Sequence, residues 1–110
     1  MTLNRCAIKI LGQNVIGNGK LEISDSRWKI ESLIKFEFLD EAQLNFLVDM
    51  DNEVEFNGYV QHERKNYLVT DIDCVVSGLT WFQSASHARC FLRPTQAGIK
   101  KLKHQLIDFV

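Results

Sequence analysis

The chain has 110 residues, 45% of them hydrophobic and 25% charged, and its 13 basic and 14 acidic side chains give a formal net charge of −1. That length makes one domain, which buries about two thirds of the surface its unfolded chain would expose. The composition excludes a disordered chain, and the charge balance argues against a protein held chiefly by nucleic-acid phosphates.

The N-terminal stretch "MTLNRCAIKILG" lacks the long apolar region and small-residue cleavage site of a secretory leader. No run of about 18 apolar residues reads as a membrane-spanning helix. Within that stretch, Cys6–Leu11 is the first strand candidate. "GQNVIGNG" carries three glycines and two asparagines and predicts a turn before a second strand at Lys20–Ser24. From Trp28 a period-two pattern takes over. Trp28, Ile30, Ser32, Ile34, Phe36 and Phe38 share one face, and Arg27, Lys29, Glu31, Leu33, Lys35 and Glu37 share the other. The run exceeds a typical strand, which predicts a bend or break near Glu31–Leu33.

Leu44, Phe46, Val48 and Met50 repeat the alternation, although "DEAQLNFL" from Asp40 also fits the start of a helical turn. "MDNE" is a turn. Val54, Phe56, Gly58 and Val60 form the next face, "QHERKN" a polar connection, and Leu68, Thr70, Ile72, Cys74 and Val76 a further face. Ser77–Gly78 ends or bulges that strand. "LTWFQ" continues extended, "SASHA" is loop, and "RCFL" is a last strand. Thr95 is the N-cap of a terminal helix whose Ile99, Leu102, Leu106 and Phe109 recur at helical spacing. Its "KKLKH" side is a solvated face.

The expected fold is mainly β: a single domain over residues 1–110, with a small antiparallel barrel of about six strands at 4–92 and a C-terminal amphipathic helix at 95–109. A barrel leaves no long unpaired edge.

The order of these segments resembles a PilZ domain, a bacterial regulatory family with a six-stranded barrel followed by a helix. "RCAIKI" is similar to the family's first strand after its second Arg. "GNGKLEISDSRWKI" is similar to its strand, Asp/Asn-x-Ser-x-x-Gly turn and next strand. "EVEFNGYVQHE" is similar to the strand with a central Gly, and "VVSGLTWF" to the closing Gly-hydrophobic-x-Phe strand. Many members bind cyclic di-GMP through an Arg-x-x-x-Arg arm ahead of the first strand, whose guanidiniums clamp phosphate and stack on guanine. In this chain Arg5 matches the second arginine, and Met1 stands at the first. The turn has Glu22, Ser24 and Arg27 where the family has Asp or Asn, Ser and Gly. The resemblance therefore implies a binding module in which Arg5, Ser24 and Arg27 are the residues available to cyclic di-GMP, with weak or absent affinity. A second Arg-x-x-x-Arg, Arg89–Arg93, lies at the wrong end of the chain and reads as coincidence.

Other chemistry finds little support. His87 and Cys90 form one loose pair, with Cys74, His62 and His104 elsewhere, short of the two close pairs of a zinc site. The odd set Cys6, Cys74 and Cys90 reads as buried thiols in a reducing, cytoplasmic setting. Asp71 and Asp73 share a strand face, where paired carboxylates serve acid–base work, but their alternation with apolar residues makes them the solvated side. "DMDNE" lacks the spacing of a calcium loop. Ser24, Ser77 and Ser84 have no adjacent base or nucleophile elbow.

The sequence thus predicts a non-catalytic regulatory module without a cofactor, acting on an unidentified protein partner and not on a membrane. The alternative is an OB-like nucleic-acid-binding barrel, in which Tyr59 and Tyr67 stack bases and Arg64 and Lys65 track phosphates.

Overall fold

The computed structural model describes residues 2–24, 27–49, 51–62, 65–81 and 86–106. Six strands close into one antiparallel barrel: β1 (Thr2–Ile10), β2 (Gln13–Ser24), β3 (Arg27–Lys35), β4 (Glu53–His62), β5 (Lys65–Thr80) and β6 (His87–Pro94). Around the barrel the order is β1-β2-β3-β6-β5-β4, and β4 pairs back with β1. A 3-10 turn at Phe36–Phe38 and helix α1 (Glu41–Val48) join β3 to β4, and helix α2 (Gln96–Gln105) follows β6.

The alternation places the core as expected. Trp28, Ile30, Ser32 and Ile34 point inward from β3, and Val54 and Phe56 from β4. The three cysteines, expected inside, are all buried as free thiols.

Several expectations are corrected. β2 is one strand of 12 residues, and the turn before it is only Leu11–Gly12, both at positive φ. Of the glycines of "GQNVIGNG", Gly12 makes the turn, and Gly17 and Gly19 serve packing. A Cβ at Gly17 would stand 2.6 Å from the Ser32 hydroxyl, and one at Gly19 would overlap the Glu31 carbonyl of the neighbouring strand. β3 runs unbroken through Glu31–Leu33 and stops at Lys35, so Phe36 and Phe38 leave the sheet.

The predicted strand face Leu44, Phe46, Val48 is helix α1. Asp40 caps it: its side chain accepts from the Gln43 amide at 2.7 Å while its own amide donates to the Gln43 side chain at 3.0 Å. This reciprocal capping box forces the start of a helix. Gln43 and Leu47, one turn apart, are its buried face; Met50 lies outside the described residues.

In β5 the face changes midway. Phe56 pairs with Ile72 and Gly58 with Val69, so two residues of β5 stand opposite Asn57. Asp71 takes φ 55° in this bulge, and its amide donates to the Asn57 side chain at 2.8 Å. A bulge shifts the two-residue parity. Val69 is therefore buried and Leu68 is 52% exposed, the reverse of the predicted face. A second bulge at Ser77 lies between Val76 and Gly78, as the sequence suggested. His87 and Ala88, expected in a loop, begin β6.

β5 is longer than either neighbour needs. Its first part pairs with β4, its last with β6, and β6 ends where Pro94 meets Cys74. Upstream of Cys74, the β6-side edge of β5 has no strand, and α2 takes that place. Thr95 donates its amide to the Asp73 carbonyl at 2.9 Å, and Lys101 Nζ donates to the Asp71 carbonyl at 2.9 Å. The Gln105 side chain accepts from the Thr70 amide at 2.8 Å and donates to the Thr70 carbonyl at 3.0 Å, so one carboxamide substitutes for a ladder partner. Thr95 caps the helix as predicted, accepting from the Gly98 amide. The helix spans Gln96–Gln105 with Leu106 as its cap, and the expected continuation to Phe109 lies outside the described residues.

Gly98 allows this contact, since a Cβ there would overlap the Asp73 carbonyl oxygen. Helix propensity alone favours Gly98→Ala by about 1 kcal/mol. Overlap with fixed backbone outweighs that gain, so Gly98→Ala is expected to lose about 1–3 kcal/mol in urea unfolding. A stabilised variant would mean that α2 does not press on β5.

Candidate functional site

The outer face of the barrel is built from the same alternation that fills the core. Lys9 of β1 pairs with Glu55 of β4, and Glu55 with Asp73 of β5, so these three side chains form one row across the strands. α2 begins beside that row, with Thr95 bonded to Asp73. Together with the β1–β2 turn, they border a groove of about 690 Å³. Leu11, Gly12 and Phe46 line it from the turn and α1, Glu53 and Glu55 from β4, and Gln96 and Ala97 from the first turn of α2. The buried Val54 and Cys74 also contribute to its lining.

Leu11 holds an unusual position. It is 56% exposed and sits at φ 51°, followed by Gly12 at φ 82°, in a two-residue hairpin turn. Such turns favour Asn, Asp or Gly at the first position, and a branched apolar residue there costs roughly 1–2 kcal/mol. A large apolar side chain is thus held out at the rim of the groove.

The charge of the groove is mixed. Asp73 accepts from Lys101 at 2.9 Å, and this bond raises the ammonium pKa above its ordinary value. Glu53 and Glu55 belong to a wider pattern. Ten of the chain's 14 acids and only two of its 13 basic residues fall between residues 36 and 86, net −8 against +7 for the remainder. Those residues span α1, β4 and β5, which hold five of the ten acids, Glu41, Glu53, Glu55, Asp71 and Asp73. This division was legible in the sequence as a count along the chain, and a whole-chain balance of −1 concealed it.

The residues singled out from sequence do not meet at the groove. Arg5 lies inside β1, where it pairs with Tyr59 of β4. Ser24 and Arg27 pair with each other at the tip of the β2–β3 hairpin. Leu3 and Cys6 pair with Gly19 and Gly17, so Arg5 stands beside that part of β2. Ser24 is then at least five residues further on, about 17 Å along the strand.

The base-stacking set is divided as well. Tyr59 pairs with Leu68 on the outer face and is 48% exposed, whereas Tyr67 pairs with Val60 and packs against the core. Lys65 begins β5, and Arg64 lies outside the described residues.

Arg89 and Arg93 each meet an acid, Glu31 at 2.9 Å and Asp51 at 3.7 Å. His87 is exposed and bonds to Ser86 at 2.8 Å, while Cys90 points into the barrel, so that pair cannot share a metal from one face. No cluster of three or more His, Cys, Asp or Glu suited to a metal occurs among the described residues.

No family model, curated protein or solved structure matches the chain.

The thiols are chemically quiet. Cys6 shares a hydrogen bond of 3.3 Å with Ser32. Burial pushes the pKa of Cys74 and Cys90 from 9.0 to about 12, with smaller like-charge contributions from Asp73 and Cys90 on Cys74 and from Cys6 on Cys90. Thiolate is the reactive form, so all three thiols should resist a disulfide reagent at pH 8 until the chain is denatured. The folded-state values lie above the unfolded ones, so this contribution to stability is complete below pH 9.0 and is lost as pH rises toward about 12. Rapid labelling of the native protein would contradict the closed barrel.

Proposed function

We propose that the chain is a non-catalytic, PilZ-like binding module that acts through protein contacts and holds cyclic di-GMP weakly or not at all. A closed six-stranded barrel followed by a helix is the architecture the resemblance implies. The observation that carries the reading is the placement of Arg5. It lies within a paired strand instead of on an arm ahead of one, about 17 Å along the sheet from Ser24 and Arg27. Donors that clamp one phosphate must each lie about 3 Å from its oxygens.

The protein-contact part of the reading draws on apolar side chains held in solvent. Tyr59 and Leu68 form an outward cross-strand pair, and Leu11 stands at the groove rim. Exposed aromatic and aliphatic anchors of this kind are what a protein interface buries.

Calorimetric titration with cyclic di-GMP is expected to show no heat of binding at micromolar protein, with Arg5→Ala indistinguishable from the parent. Micromolar binding abolished by Arg5→Ala would overturn the negative half of the proposal.

A further inference from the structure

α2 does not answer the whole of the edge that β6 leaves on β5. It bonds Asp73, Asp71 and Thr70, and its last turn reaches Thr70 through Gln105. Thr70 turns both its amide and its carbonyl to that side chain, away from β4. Upstream of the bulge β5 pairs regularly with β4, Val69 with Gly58, Leu68 with Tyr59 and Asn66 with Gln61. Backbone groups alternate sides along an antiparallel strand, so Leu68 and Asn66 turn theirs to the same free edge as Thr70. Among the described residues no strand or side chain bonds to them there. Proteins blunt such edges with charge or proline. This edge instead holds Leu68, exposed on the outer face beside the exposed Tyr59 of β4.

We propose that this stretch, Lys65–Val69, takes a short extended segment of a partner protein as an added antiparallel strand. Two residues of that segment exchange amide and carbonyl bonds with Leu68 and Asn66. The one opposite Leu68 is apolar and lies against Leu68 on the outer face. Leu68 and Asn66 set two donors and two acceptors about 6.7 Å apart along the edge, an array that an extended backbone complements. The stretch is bounded by α2 at Thr70 and by the end of the β4–β5 ladder at Lys65, which leaves room for about four residues. The barrel is closed, so a second copy has no full-length edge to offer, which favours a linear segment. The inference rests on the protein-contact part of the reading above, whose mode it specifies, and is independent of the nucleotide part.

The test is an NMR titration of the full chain with an acetylated, amidated Val-Thr-Val-Thr-Val peptide. Shift changes are expected to centre on Asn66–Leu68, and the Leu68 amide, fast to exchange in the chain alone, should gain protection. Two N-methylated forms of the peptide set the parity. With Val opposite Leu68, the valine amides face the edge and the threonine amides face solvent. Methylating the valine amides should weaken binding by about tenfold or more, whereas methylating the threonine amides should leave it unchanged. Leu68→Pro removes a donor that lies outside the β4 ladder, so the variant should keep its fold and lose the peptide. Should it fail to fold, as judged by circular dichroism, the methylated peptides carry the test on the unaltered chain. No binding at millimolar peptide overturns the inference. So does a Leu68 amide already protected in the chain alone, which would mean an edge already covered, by a second copy if the protection grows with protein concentration. Binding indifferent to methylation but lost in Tyr59→Ala overturns strand addition while leaving the protein-contact reading in place. The cyclic di-GMP titration stands or falls separately from all of these results.

Discussion

The structure depends on how the free edge of β5 is satisfied. A strand edge buried without partners leaves amides and carbonyls unpaired, at a cost of roughly 1–3 kcal/mol each. β6 stops at Pro94, a residue that cannot donate to a ladder, and its partner Cys74 is the last residue of β5 it reaches. The chain then turns into α2 and answers the exposed groups of Thr70, Asp71 and Asp73 with Gln105, Lys101 and Thr95. The same contact sets Leu102 and Leu106 into the core. One helix thus does two things, sealing an edge with its polar side chains and closing the hydrophobic interior with its apolar stripe.

This seal also shapes the groove on the outer face of the barrel. The first turn of α2 must lie beside Asp73 to make its bonds, and it thereby becomes one wall of the groove. Lys101 is drawn against Asp71 and Asp73 of β5 by the same geometry. Lys101 is consumed by that attachment, whereas Lys100 and Lys103 remain turned to solvent. The pairing of Lys101 with Asp73 is therefore a consequence of closure.

Much of this was legible in the sequence, and the limits have identifiable causes. The alternation around Trp28–Ile34 and Val54–Phe56 located the core because each side of a strand faces one environment. Thr95 was visible as a cap because its hydroxyl is three residues ahead of the amide it serves. α1 stayed open between strand and helix because Leu44, Phe46 and Val48 mimic a strand face; the discriminating signal was the pair Asp40 and Gln43, whose reciprocal bonds commit the backbone. The β5 bulge was unreadable, since one inserted residue at Asp71 depends on the side chain of Asn57 in another strand. The glycines of β2 looked like turn residues because local sequence does not reveal that Ser32 and Glu31 approach from β3. The groove was invisible for the same reason: its walls come from five separated segments.

The most direct test is native-state hydrogen exchange of the Thr70 amide, whose partner is the Gln105 side chain rather than another strand. If α2 seals β5, that amide exchanges as slowly as those of the neighbouring ladder, and Gln105→Ala accelerates it while amides of β2 and β3 keep their protection. A Thr70 amide that exchanges at the rate of an exposed loop in the parent protein, within an otherwise protected barrel, would contradict the account.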